Sequence, residues 1–396
     1  LSDKLAAAQR SFAPARGCSK TNLAMQRIRQ VVQRTVRFLR SSHTSPQVET
    51  LIRSELEEIE AAPNTKGRYA RHDGQWSPVT YRYRMLSAVM LIALAMFATV
   101  PGRGLRNYVA RVRFFASCAR ELKQISDFSV VSSSQNLLRT LQERPHLIGV
   151  ATWPYINGLW TTAQRFAALQ AHYAELESFP ALQIGTREKV VVSNLGGLVP
   201  GLTIAIDRPS WFMREGELTV NLFNGDFRAY SLAFTFGRVA GQRVMYVGCI
   251  QGRQAEGVEQ LYRDLTKKLH GWRPRDVMVS LVQMIGSAAD VSKIHLVSDA
   301  ARVHRHKYFG DQHEALTSAN YDEIWLERGA VAGDGGFFEL GTGIRQREQH
   351  EMSSNKRAMY RRRYELMDSL TRDVNAVVAV RSTGPGLRRV LEQRFA

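Results

Sequence analysis

Three short runs of alternating residues, joined by tight turns, constrain this chain most. Residues 217–223 alternate and stop at Asn224-Gly225-Asp226, a hairpin turn. Residues 228–236 follow, then Val239-Ala240-Gly241, then residues 242–250. Strands joined this tightly form an antiparallel meander, because a parallel return needs a long crossover. Upstream, residues 189–195 are rich in β-branched side chains, and residues 202–206 run into the Asp207-Arg208-Pro209 turn. Trp153 to Glu177 reads as one helix, with Leu159, Phe166, Leu169, Tyr173 and Leu176 at helical spacing. After Gly252 the period is helical again. Residues 258–269 form a helix ended by His270-Gly271, and residues 276–289 form another, with Pro274 near its start. Residues 293–297 read as a buried strand, 314–328 as a helix capped by Gly329, 333–336 as a turn and 337–340 as a last strand. Residues 355–376 form a basic amphipathic helix. The fold class expected is α/β (α+β): a mixed, largely antiparallel sheet with flanking helices, preceded by a basic helical region.

That region is residues 1–136, with residues 137–396 as the second domain and the serine-rich stretch 129–136 as the boundary. Arg27, Arg29, Arg34, Arg37 and Arg40 recur among Ile28, Val31, Val32, Val36 and Leu39, an amphipathic basic helix. The apolar run 85–100 is sixteen residues long, short of the roughly twenty that span a bilayer. Arg82, Arg84, Arg103 and Arg106 flank it, so it is either a buried helix or an interfacial one. The first residues show no apolar stretch behind a basic one, so no secretory signal is expected. Cys18, Cys118 and Cys249 are odd in number and far apart, which implies no disulfide framework and fits a reducing compartment. The expected location is cytoplasmic, with peripheral contact at the inner membrane.

Charge narrows the partner. There are 54 Lys+Arg against 36 Asp+Glu, a net charge of +18. Such an excess favours an anionic partner: a phosphate-bearing donor, anionic lipid or RNA. Arg273 and Arg275 flank the start of a helix, whose free N–H groups attract phosphate, and Gln251, Gly252 and Arg253 at a strand end are placed to approach the same ligand. The bland alternative is a helix start with solvated arginines. Lys356, Arg357, Arg361, Arg362 and Arg363, interleaved with Tyr360 and Tyr364, form either a polyanion surface or a solvated helix face.

The densest group of reactive side chains is His304-Arg305-His306-Lys307-Tyr308-Phe309 and Asn320-Tyr321-Asp322-Glu323-Ile324-Trp325. It follows a helix and a strand, and open α/β sheets gather reactive groups at strand carboxyl ends. His304, His306, Tyr321, Asp322 and Glu323 are the acid–base candidates. Tyr321 and Trp325 share a helix face, a spacing that serves a core as well as a site. His304, His306 and His313 form a cluster; in an extended segment His304 and His306 point to one side, and with Asp322 or Glu323 they would hold iron or zinc. Arg305 and Lys307 oppose a cation there, and the metal-free reading leads.

Several strings carry a resemblance. RPHLIGVATWPYIN, RPSWFMREGELTVNLF, YSLAFTFG, IQGR, LTKKLHGWRPRD, HRHKYFG, SANYDEIWLERG, DGGFFEL and KRAMYRRRYELMD together resemble the VirK/YbjX family of Gram-negative bacteria. The resemblance covers roughly residues 137–375 and implies an association with antimicrobial-peptide resistance, the envelope and virulence. It implies no particular reaction. The order meander, helix, strand, helix, strand also resembles the Gcn5-related N-acyltransferase fold. In that fold a splayed strand and a helix N-terminus take the pyrophosphate of acyl-CoA. Arg273-Pro274-Arg275-Asp276 would open that helix here, and Trp325 to Val331 is similar to the fold's terminal motif. The glycine-rich phosphate loop is missing, an extra helix intervenes at residues 258–269, and Trp325 stands where the fold's acid tyrosine belongs. The resemblance implies an acyltransferase-like transferase with an acyl-CoA-like or other nucleotide-bearing donor and a peptide, lipid or envelope-related acceptor. The alternatives are a non-catalytic RNA- or anionic-lipid-binding protein and a metal-dependent enzyme at His304 and His306.

Overall fold

The computed structural model describes residues 78–131, 137, 140, 141, 143–309, 319–346 and 353–379. The basic helix expected over residues 27–40 lies outside them. The chain divides between Val131 and Ser132 into two compact units.

Helices α1 (Pro78–Thr99), α2 (Leu105–Arg120) and α3 (Leu122–Val131) belong to the first unit. The apolar run at 85–100 falls within α1, where Ala88, Met90, Leu91, Ile92 and Ala95 are buried. Helix α1 packs against α3 and α2, which buries this face of it. No described helix is long and apolar enough to cross a membrane. Arg111 pins the α1–α2 connection by donating to Val100 O and Gly102 O.

The second unit is built on eight strands: β1 (Lys189–Asn194), β2 (Leu202–Asp207), β3 (Leu218–Asn224), β4 (Phe227–Val239), β5 (Gln242–Gly252), β6 (Lys293–Val297), β7 (Val331–Ala332) and β8 (Phe337–Leu340). They form one sheet in the order β1-β2-β3-β4-β5-β6-β8-β7. Every pairing is antiparallel except β5 with β6. The fold is therefore a mixed, largely antiparallel sheet with flanking helices. The meander's turns suit their residues: Gly225 has φ 60°, while Ala240 and Gly241 have φ 48° and 81°. Positive φ at both central positions matches the twist of paired strands.

Helix α4 (Thr162–Leu176) packs on β4, α5 (Val258–Lys268) and α6 (Pro274–Ala288) cross from β5 to β6, α7 (Tyr321–Glu327) lies between β6 and β7, and α8 (Arg357–Val378) packs on α6 and β1. Helix α6 is buried almost end to end and touches β3, β4, β5 and β6. Two expected helices start later than periodicity implied. Helix α4 begins at Thr162, not Trp153, because Thr161 and Gln164 form a capping box. Helix α7 begins at Tyr321, because Asn320 caps it by accepting from the N–H groups of Asp322 and Glu323. Strand β7, only two residues long, was not expected from its sequence.

Candidate functional site

Strands β5 and β6 run in register from Val244↔Lys293 to Val247↔Leu296, and then part. The last five residues of β5 keep only β4 as a partner. At this point the β4–β5 ladder shifts register: Phe234 faces Val247 and Ala233 faces Cys249, which leaves Gly248 as a bulge. Bulges bend strands and re-aim side chains, and they concentrate beside active sites. Gly248 is required here, because a Cβ would stand 2.1 Å from the carbonyl oxygen of Glu215. Gly216 is held the same way, 2.7 Å from Phe234 N. Two glycines thus let residues 215–216 lie directly on the sheet at the divergence, which fixes where the Glu215 side chain begins.

Glu215 is 3% exposed, and its Oε1 lies 2.7 Å from His304 Nε2. Its other oxygen is buried with no hydrogen-bond partner among the described residues. The imidazole itself is partly open, at 38% side-chain exposure, and packs on Phe309. A buried carboxylate that orients a partly exposed imidazole is the arrangement an acid–base residue needs. Arg214 reinforces the wall, with its guanidinium against the rings of Trp153, Tyr308 and Phe309. The adjacent Cys249 thiol is pushed up to about 12 by burial and by Glu215, so it stays protonated and unreactive at neutral pH.

Tyr321 fills the gap between the strands. Its hydroxyl accepts from Ile250 N at 3.0 Å and donates to Ile250 O at 2.8 Å, taking the place of a missing strand. Burial, followed by the neighbouring Cys249, raises its pKa well above the ordinary tyrosine value. One turn on, Trp325 Nε1 donates to Val297 O at the end of β6. The shared aromatic face of α7 therefore clamps both parted strands. Asp299 organises the segment after β6: it pairs with Arg302 and Arg305, and its N–H donates to Asp322.

The sequence candidates are thus distributed. His304 meets Glu215, which sequence reasoning missed. Tyr321 is the wedge, Asp322 accepts from Asp299 N, and Glu323 accepts from the Asn320 side chain on an exposed surface. His306 turns its Nδ1 to the N–H of Tyr308. Among the described residues no three His, Cys, Asp or Glu side chains converge on one position, and His304, His306 and Asp322 are not brought together. The physical reason is local: residues 303–305 and 307–309 form 3-10 turns, so His304 and His306 do not share a strand face. His313 lies outside the described residues.

The arginines expected to hold phosphate gather at the start of α6. Arg273 is the N-cap of α6, followed by Pro274. It bonds Asp276 and Glu327, while Arg275 also reaches Glu327 and Arg328 lies 3.6 Å from Asp276. Three guanidiniums face two carboxylates, which leaves one net positive charge. Gly252 and Arg253 do not offer the open backbone expected of them. Tyr230 and Tyr262 occupy the space beside Gly252, and Arg253 N is bonded to Ala229 O. Gln251 is exposed on β5. Of the polyanion candidates, Lys356 is exposed in the turn before α8 and Arg357, Arg361 and Arg362 are exposed on α8, whereas Arg363 donates to His270 O and ties α8 to the end of α5.

Comparison with known proteins places this arrangement in a family without assigning it a reaction. Residues 103–376 match a family described as a protein of unknown function, DUF535. The chain is 26% identical over 298 residues to the uncharacterized protein YbjX of Escherichia coli K12, covering 72% of this chain and 88% of that one. It is 29% identical over 164 residues to an uncharacterized protein of Haemophilus influenzae, covering 40% and 52%. No solved structure gives a significant match, so the resemblance to Gcn5-related N-acyltransferases gains no support. With the family region spanning α2 to α8, the chain belongs to the DUF535 family, of the VirK/YbjX type.

Proposed function

We propose that this chain is an acyltransferase-like transferase whose acid–base residue is His304, held by Glu215. The observation that carries the reading is the coincidence, at Gly248, of a β-bulge, the parting of two parallel strands and a buried carboxylate bonded to an exposed histidine. In an acyl transfer His304 would take the proton of the attacking amine or hydroxyl. Glu215 would stabilise the imidazolium that results. The donor is a phosphate-bearing, acyl-CoA-like molecule, and the acceptor a peptide, lipid or envelope-related compound. Arg273, Arg275 and Arg328 would hold the phosphate. The pairs of Arg273 and Arg275 with Glu327 are partly exposed and therefore weak enough for a phosphate to displace. Helix α7 carries Tyr321 at the divergence and Glu327 at the arginines, a separation of about 9 Å along a seven-residue helix. The working location is the cytoplasm, at the inner membrane; the free, buried thiols of Cys118 and Cys249 fit that compartment.

Calorimetric titration of acetyl-CoA and CoA into the full chain tests this. Saturable, stoichiometric binding that is lost in R273A/R275A is expected. Absence of binding, or weak multi-site binding abolished by modest salt, would overturn the transferase reading; the latter would favour a polyanion-binding protein using Lys356, Arg357, Arg361 and Arg362.

A further inference from the structure

Helix α2 has two apolar faces, and among the described residues only one is buried. Phe114 and Cys118 are buried. At 100° per residue, Leu105, Tyr108, Val109, Val112 and Phe115 fall on roughly the opposite side. All five are exposed, Leu105 at 80% and Val112 at 50%. This stripe is continuous over three turns, whereas scattered exposed apolar residues are ordinary.

The polar residues beside the stripe have one sign. Residues 100–120 contain five arginines and no carboxylate. Arg111 is spent on the α1–α2 connection. Arg106, Arg113 and Arg120 are exposed and recur every seventh residue, which sets them in a row along one flank of the stripe. Arg103 is exposed just before the helix.

We infer that α2 is an interfacial helix that lies on an anionic bilayer, with its apolar stripe at the acyl boundary and its arginine row on the lipid headgroups. An apolar face bordered by arginines, on a helix that does not span, is the form such helices take. Arginine stems also reach outward along apolar surface to place their charge at headgroups. A second copy is disfavoured as occupant, because pairing two such faces would set arginine against arginine with no carboxylate between them. RNA would meet the arginines and could stack on Tyr108 and Phe115, but it would leave Leu105, Val109 and Val112 in water. The sequence left the apolar run of α1 either buried or interfacial; the structure buries one face of α1 and leaves the stripe on α2 exposed. The inference does not depend on the transferase reading.

Flotation of the full chain with vesicles tests it, comparing pure phosphatidylcholine with a mixture containing about a third phosphatidylglycerol. Binding to the mixed vesicles that persists in part at high salt is expected. L105E/V112E should lower the partition coefficient by about tenfold or more, and R106E/R113E should remove the salt-sensitive share. Unchanged circular-dichroism melts show that the variants fold; if L105E/V112E melts early, the milder Y108S/V112S gives the same reading. No binding by wild type, or wild-type binding by a folded stripe variant, overturns the inference. So does a dimer in sedimentation that the stripe variant dissolves, since the face would then belong to a second copy.

Discussion

Glu215 and Glu217 stand two residues apart and are both nearly inaccessible, yet their surroundings differ in kind. Glu217 sits in a closed network. Tyr173 donates to it at 2.5 Å, Tyr155 at 3.2 Å and Arg208 at 3.2 Å, and its own N–H donates to Thr235. Burial alone would raise its pKa, but Arg144, Arg208, His172 and the Tyr173 hydroxyl hold it below the ordinary carboxylate value. Every partner in that network is buried, so the charge is fixed and no proton exchanges with a ligand. Among the described residues, the Glu215 carboxylate bonds His304, which faces partly outward, and its other oxygen has no hydrogen-bond partner. A closed ionic network serves the fold. A carboxylate–histidine pair with one open side can exchange a proton with a ligand, as acid–base work requires.

The largest expected effect breaks the closed side. E217Q leaves the Arg208 guanidinium buried without its counter-charge and should cost about 3–5 kcal/mol in urea unfolding. A loss under about 1 kcal/mol would show that Glu217 is no more structural than Glu215. Next is the wedge. Y321F orphans both backbone groups of Ile250 and should cost about 1–3 kcal/mol. An unchanged urea midpoint would mean that the strands part without needing the phenol.

A smaller effect concerns acid. Burial holds His172 down to about 3, against 6.5 for an ordinary imidazole, while its Nδ1 accepts from Phe236 N. A depressed histidine is protonated in the unfolded chain before it is protonated in the folded one. It therefore contributes stability above pH ~6.5 that is lost as pH falls toward 3. Wild type should lose on the order of 1 kcal/mol per pH unit more than H172N across that window. Parallel curves would remove His172 from the closed network's account. Smallest in stability are E215Q and H304N, each expected to change unfolding by less than about 1 kcal/mol. A larger loss would place Glu215 beside Glu217 as a structural carboxylate.

What was legible follows from range. The meander could be read because alternation and Asn224-Gly225-Asp226 act over a few neighbouring residues. The late start of α4 was written in Thr161 and Gln164, a local cap that the helical spacing of Leu159 masked. Glu215 was not legible as a site residue: it lies outside regular structure, and its position depends on Gly248, brought to it by the sheet. Arg273 and Arg275 were legible as a pair at a helix start, but the Glu327 that meets their charge comes from another helix. His304 was found by density of reactive residues, but its partner came from tertiary packing. Tyr321 and Trp325 were read as one face, and their clamp on two strands depends on where those strands part.

The most direct test is the rate of acyl transfer from an acyl-CoA in wild type, H304N and E215Q, with melting temperatures from the same preparations. The account predicts that H304N loses about 10²- to 10⁴-fold in rate and E215Q a smaller part of it, with melting temperatures unchanged. Wild-type turnover by folded H304N would contradict it.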